Sequence, residues 1–174
     1  GGKLMICGNG GSASDAQHIV GELMKDLAIR RGLDKTEADK LRSMFPDGSG
    51  EHLAQSLVEA LPAISLSGEQ ALNSAVANDV AGDMVYAQQV YGLCEAKDAV
   101  LGLSTSGNSP NVVNAAKTAK LKGVVTLSIT GQLDSQLSEL CDVCVQFPST
   151  ETFRVQEFTL PVYHALCRML EVYF

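Results

Sequence analysis

The chain has 174 residues, of which 45% are hydrophobic and 19% charged, and its formal net charge at pH 7 is −7. This length and composition suit one globular domain with a sizeable core. The acidic balance argues against a nucleic-acid or membrane-surface partner, and no apolar run reaches the ~18 residues of a membrane-spanning helix. We expect a cytoplasmic protein whose five cysteines are reduced.

Short apolar runs alternate with helical patterns along the chain. We predict strands at 3–7, 63–66, 99–104, 124–130 and 143–147. Apolar residues recur at three- and four-residue spacing in the segments between them, which predicts helices at 12–24, 68–78, 85–94, 110–122 and 155–173. This alternation is typical of an α/β fold with a doubly wound, parallel five-stranded sheet flanked by helices.

The first predicted strand leads directly into a glycine-rich turn. Residues 7–12 read Cys-Gly-Asn-Gly-Gly-Ser, and the first predicted helix follows at once. Glycines let backbone N–H groups approach an anion closely, and the helix N-terminus adds a positive end. The turn therefore predicts a contact with a phosphate group.

The helix after this turn carries an imidazole and a carboxylate on one face. His18 and Glu22 are four residues apart, which leaves about 40° between them around a helix. Such a pair can hold a metal ion or transfer a proton.

Residues 25–62 form a charged, helix-prone stretch with a turn at 45–50, Phe-Pro-Asp-Gly-Ser-Gly. We interpret the charges at 34–40 as a solvated helix face rather than a partner site. No composition shift marks a boundary, so we expect one domain, 1–174, with a helical insertion at 25–62. The sequence begins almost directly with a strand and without an initiator Met, and we expect an N-terminal helical segment to precede it.

A second polar loop follows the third predicted strand. Residues 104–110 read Ser-Thr-Ser-Gly-Asn-Ser-Pro, and the proline suits the first turn of a helix, which does not need that N–H group. Four hydroxyls at a helix N-terminus favour a phosphate site over the alternative of a capping turn. Neither loop has the Gly-Lys-Ser/Thr of a nucleotide-binding P-loop or a full dinucleotide fingerprint.

These motifs together resemble the sugar isomerase (SIS) family, and within it the phosphoheptose isomerases. The resemblance covers nearly the whole chain and rests on four motifs in order: residues 7–12, His18 with Glu22, residues 103–109, and Arg-Val-Gln-Glu at 154–157 with His164. It implies the SIS fold and an aldose–ketose isomerase. The implied reaction converts sedoheptulose 7-phosphate to D-glycero-D-manno-heptose 7-phosphate through an enediol, for heptose and lipopolysaccharide precursor synthesis.

The resemblance also implies the site residues. It gives one zinc ion per site with His18, Glu22, Gln156 and His164 as ligands, Glu22 as base and His164 as proton shuttle. It gives the following substrate contacts: Asn9, Gly10, Ser12, Asp79, Ser104, Thr105, Ser106, Ser109 and Gln156. Because a residue bound tightly to zinc cannot also be a free base, Glu22 or His164 must loosen or act through an uncoordinated atom. Asp79 is interpreted equally well as part of a helix C-terminal turn.

SIS proteins generally build their sites where subunits meet, so the resemblance implies a homotetramer with sites at subunit interfaces. The chain departs from the phosphoheptose isomerase pattern in a longer 25–62 segment and in Phe153 before Arg154. Both departures bear on the sugar pocket, so the particular phosphosugar is less constrained than phosphosugar isomerisation itself.

Two non-catalytic alternatives share the loops. One is an SIS scaffold that binds the replication initiator, which residues 77–90 resemble, and the other is a phosphosugar sensor. The scaffold lacks the glutamate and the second histidine, and a sensor has no need of the four ligands. Because this chain keeps Glu22 and His164, the enzyme is favoured.

Overall fold

The computed structural model describes all residues from Gly1 to Phe174. Five strands form one sheet in the order β2-β1-β3-β4-β5, and every neighbouring pair is parallel. The strands are β1 Leu4–Gly8, β2 Ala63–Ser65, β3 Ala99–Leu103, β4 Val125–Thr130 and β5 Val143–Gln146. The expected fold class is confirmed, and each strand ends within one residue of its expected limit.

Eight α-helices connect or follow the strands. They are α1 Gly11–Met24, α2 Lys35–Met44, α3 Ser49–Ser56, α4 Gln70–Asp79, α5 Val85–Leu93, α6 Pro110–Leu121, α7 Gln136–Leu140 and α8 Thr152–Tyr173. A single 3₁₀ turn, Gly82–Met84, precedes α5. Helix α7 is absent from the predictions above, because five residues are too few to show a helical period. A reciprocal capping box between Ser135 and Ser138 starts it instead.

The sheet is covered on both faces. Helices α4 to α7 pack on one face against Met5, Cys7 and Val100, and α1 and α8 pack on the other against Ile6 and Leu101. Successive strand residues point to opposite faces, so a strand buried on both sides is apolar throughout. This is why the strands read as continuous apolar runs.

The segment between α1 and β2 contains two helices, α2 and α3. Asp34 starts α2 by accepting a hydrogen bond from the Glu37 N–H, and Gly48 precedes α3 in a left-handed conformation. A single antiparallel bridge joins Gly32 to Val58 at the base. Between Lys35 and Lys40 only Ala38 is buried, so the charged side chains face solvent.

No helix of the structure has both the length and the apolar character that crossing a lipid bilayer requires.

Candidate active site

The two polar loops meet at the centre of the sheet. Strands β1 and β3 are neighbours, and Gly8 at the end of β1 lies opposite Leu103 at the end of β3. After β1 the chain continues into α1 on one face of the sheet, and after β3 it continues into α6 on the opposite face. In open parallel sheets such a switch point forms a crevice at the strand carboxyl ends, where ligands bind.

The first loop brings α1 close to α8. Gly10 has φ 54°, a conformation that favours glycine, and it immediately precedes α1. A Cβ atom at Gly11 would lie 2.5 Å from Gln156 Nε2, so only glycine lets the α8 carboxamide sit against the first turn of α1. Ser12 is buried, and its N–H donates to the Asn9 carbonyl to close the turn.

The second loop presents an anion-binding arrangement. Ser109 precedes α6, but its hydroxyl makes no capping bond and lies 2.9 Å from the Ser104 hydroxyl. The N–H groups of Thr105, Ser106 and Ser109 make no hydrogen bond within the chain. Free N–H groups and hydroxyls at a helix N-terminus suit a phosphate group.

A hydrogen-bond network joins the two loops. The Asn9 and Asn111 carboxamides pair reciprocally, at 2.9 and 2.8 Å. The buried Tyr86 hydroxyl donates to the Gly8 carbonyl at 2.6 Å and lies 3.3 Å from Asn9 Oδ1. Tyr86 and Asn111 are absent from the predicted site, because nothing in the local spacing relates them to residues about 80 to 100 positions away. The network fixes Asn9 relative to the start of α6.

Helices α1 and α8 bring two imidazoles and a carboxylate together. His18 Nε2 lies 3.2 Å from Glu22 Oε1, as their four-residue spacing predicts. His164 joins them from α8, and one ligand atom from each of the three residues lies within 4.8 Å of the others. The Glu22 side chain is 10% exposed and that of His18 45%. The cluster therefore has a buried side and a side open to solvent.

Two groups beside the cluster have raised pKa values. Burial raises the pKa of Asp15, although the nearby His18 opposes the rise. Burial also raises the pKa of Tyr163 to about 12, and the charges of Asp15, Cys167 and Glu22 add to this effect. The Tyr163 hydroxyl, 2.7 Å from His18 Nδ1, therefore keeps its proton at neutral pH. Lys25, on the solvent side, lies 3.1 Å from Glu22 Oε2.

The donor set fits a zinc ion. Imidazole nitrogen and carboxylate oxygen are ordinary zinc ligands, and three protein ligands with one open position are typical of catalytic zinc sites. Ligand atoms around a tetrahedral zinc ion lie about 3.3 Å apart, given bonds of ~2.0–2.1 Å. The ligand atoms now lie within 4.8 Å of one another, so the side chains would have to move closer together to bind the ion.

Two other expected site residues lie outside the cluster. Gln156 lies two turns before His164, about 12 Å along the axis of α8 at ~1.5 Å per residue. Its carboxamide is at Gly11, so its place as a fourth ligand stays a prediction. Asp79 is exposed at the C-terminal end of α4, where its Oδ1 accepts a hydrogen bond from Asn78. Its contact with substrate also stays a prediction.

The chain is similar in sequence and fold to known proteins of one family. The model of the SIS domain family matches residues 63–170. The chain is 36% identical over 169 residues to the phosphoheptose isomerase of a Nitratiruptor species, an alignment that covers 97% of this chain and 76% of that protein.

Solved structures show the same likeness. Phosphoheptose isomerase GmhA from Neisseria gonorrhoeae has a TM-score of 0.77 and 30% sequence identity, and the match covers 98% of this chain and 77% of that one. A phosphoheptose isomerase from Francisella tularensis has a TM-score of 0.78 and 26% identity, with coverage of 98% and 76%.

Proposed function

The chain belongs to the SIS domain family, and we propose that it is a phosphoheptose isomerase. The reaction interconverts sedoheptulose 7-phosphate and D-glycero-D-manno-heptose 7-phosphate, in the synthesis of heptose precursors. The observation that carries this function is the convergence of His18, Glu22 and His164 within 4.8 Å. A proton-transfer site of this composition is what an isomerase needs and a binding protein does not.

Substrate binding is assigned to the two loops. The second loop, with Ser104, Thr105, Ser106 and Ser109, holds the phosphate, since its hydroxyls and free N–H groups converge at the start of α6. From the first loop, Asn9, Gly10 and Ser12 contact the sugar. Gln156 beside Gly11 and Asp79 at the end of α4 complete the set of substrate contacts.

Proton transfer is assigned to Glu22 and His164. A base removes the proton from C1 of the ketose, and the resulting enediol is protonated at C2 to give the aldose. Glu22 is the base, and its two oxygens allow a division of roles. Oε1 faces His18 and the ligand cluster, whereas Oε2 is bonded only to the exposed Lys25 and is the atom that takes the proton. His164 moves the proton between the sugar oxygens.

Zinc is the proposed cofactor, one ion per site. His18, Glu22 and His164 would hold it, and Gln156 is the proposed fourth ligand. When bound, zinc supplies Lewis-acid polarisation of the sugar carbonyl.

We assign the protein to the cytoplasm as a homotetramer with sites at subunit interfaces. The outer surface of α8 supports self-association, because Met169, Val172 and Tyr173 are 66%, 67% and 80% exposed. Exposed apolar surface on this scale is characteristic of subunit contacts. The open side of the His18 cluster is where a neighbouring subunit would contribute to the pocket.

A non-catalytic scaffold or sensor is not favoured. The chain shares its family and more than a third of its residues with phosphoheptose isomerases. Glu22 is nearly buried beside two histidines, and an ionisable group without a task is costly to keep in such surroundings.

The direct test is to incubate the purified protein with sedoheptulose 7-phosphate, follow the aldose product and measure bound metal in the same sample. We expect turnover together with stoichiometric zinc. If no tested phosphosugar turned over and no metal were bound, the isomerase assignment would be wrong.

A further inference from the structure

A buried hydroxyl lies behind the ligand cluster. Tyr163 is 1% exposed, and its Oη atom is 2.7 Å from His18 Nδ1. Its ring meets both histidines edge-on, with centroid distances of 5.4 Å to His18 and 4.9 Å to His164. Tyr163 and His164 are successive residues of α8, about 100° apart around the axis. The same turn of α8 therefore supplies His164 to the cluster and places the Tyr163 hydroxyl behind His18.

The neighbours of His18 determine where its proton lies. Nε2 is 3.2 Å from Glu22 Oε1, and an ionised carboxylate can only accept a hydrogen bond. Nε2 therefore carries the proton in the metal-free protein. Nδ1 is then an acceptor, and the Tyr163 hydroxyl donates to it.

Coordination through Nε2 reverses this arrangement. A metal takes the Nε2 lone pair, so the neutral ring carries its proton on Nδ1. A hydroxyl both donates and accepts, so Tyr163 can accept from Nδ1–H without moving. A carboxylate or a backbone carbonyl at the same place would serve only the metal-bound state. Tyr163 is thus a partner that suits His18 in both states.

We propose that Tyr163 is a positioning residue that holds the His18 ring in the orientation and tautomer required for metal binding. The inference rests on the proposed function, because the zinc ion is part of that proposal. Groups in this position behind a ligating histidine fix the ring and strengthen it as a ligand. Loss of the hydroxyl leaves a buried N–H without an acceptor when metal binds, and this weakens binding.

Tyr163→Phe tests the proposal, because it removes the hydroxyl and keeps the ring in the core. Tyr91→Phe is the matched control, since that side chain is 59% exposed on α5, which packs on the opposite face of the sheet from α1 and α8. We expect the affinity for Zn²⁺ alone, measured by chelator competition, to fall about 10- to 100-fold in Tyr163→Phe and to stay unchanged in the control.

Imidazole ¹⁵N NMR of the wild-type protein supplies a readout that simple packing would not affect. We expect His18 to be protonated at Nε2 without metal and at Nδ1 with Zn²⁺. In Tyr163→Phe we expect the Nδ1 chemical shift to move away from its wild-type value, because the hydrogen bond to the hydroxyl is lost. Equal circular dichroism spectra and unfolding midpoints will establish that both variants fold.

Unchanged Zn²⁺ affinity in a folded Tyr163→Phe protein would overturn the inference, as would an Nδ1–H tautomer in the metal-free wild type. Neither measurement uses the sugar. If affinity falls as expected but sedoheptulose 7-phosphate is not turned over, the proposed function fails while the role of Tyr163 stands.

Discussion

The Ser109 hydroxyl in the second loop makes a different hydrogen bond from that of an ordinary helix-capping serine. Ser109 stands where a capping serine normally bonds to the helix backbone, yet its side chain turns to Ser104. Pro110 at the first helical position has no N–H group, and the Val112 and Val113 N–H groups donate to the Ser109 carbonyl. The N–H groups of Thr105, Ser106 and Ser109 in the preceding loop stay free, as the proposed phosphate site requires, and α6 lacks a side-chain cap from Ser109.

The variant Ser109→Ala tests whether the Ser109 hydroxyl binds the phosphate group rather than stabilising α6. A hydrogen bond to a charged group contributes about 1.5–3 kcal/mol, so KM for the phosphosugar should rise roughly 10- to 100-fold with a smaller change in kcat. Stability should fall only by about 0.5–1.5 kcal/mol, because the hydrogen bond to the Ser104 hydroxyl is lost but no capping bond is. Steady-state kinetics and urea unfolding measure the two effects, with the exposed Ser56→Ala as control. An unchanged KM would remove Ser109 from the phosphate site.

Local spacing predicts some site residues and leaves others undetected. His18 and Glu22 share a face because they are one helical turn apart, and this holds in the structure. Tyr163 reaches His18 across 145 positions and Asn111 reaches Asn9 across 102. Such pairings depend on how α1, α6 and α8 pack on the sheet, and no periodicity within one segment carries that information.

At the scale of elements, α1 and α8 run side by side in the same direction and meet at three levels. Gly11 meets Gln156 at the start, and His18 meets Tyr163 in the middle. Beyond the end of α1, the backbone N–H groups of residues 27–29 donate to the carboxylate of Glu171. The cluster of His18, Glu22 and His164 thus lies between two anchored contacts, which hold His164 in register with the other two residues.

The anchor at Glu171 makes stability depend on pH. Burial alone raises the pKa of Glu171, but bonds from the N–H groups of Ile29, Ala28 and Leu27 and from Arg168 outweigh it and lower the pKa to about 2. A lowered pKa stabilises the fold fully above the ordinary value of 4.5, and this contribution disappears as pH falls towards 2.

Glu171→Gln should therefore lower the free energy of unfolding at pH 7 and flatten its decline between about pH 4.5 and 2. Urea unfolding across this range measures both effects, and the exposed Glu139→Gln is the control. An equally steep decline in Glu171→Gln would show that other carboxylates cause the acid sensitivity.

At the scale of the whole molecule, the sheet order brings together chemistry from distant parts of the chain. The βαβ alternation predicts five parallel strands and the edge where their loops gather, and both agree with the structure. It does not predict which helix covers which face. The pairing of α1 with α8 on one face therefore comes only from the structure, and this pairing assembles the cluster from the two ends of the chain.

Turnover in D₂O tests whether Glu22 transfers a proton in phosphosugar isomerisation. Sedoheptulose 7-phosphate is incubated with the wild-type protein and with Glu22→Gln, and NMR follows the aldose and deuterium at its C2. We predict deuterated aldose from the wild type, and turnover at least about 100-fold slower from a Glu22→Gln protein that still binds the phosphosugar. Aldose formation by Glu22→Gln at the wild-type rate would show that Glu22 is not the base, and no conversion by the wild type would show that the protein is not a phosphoheptose isomerase.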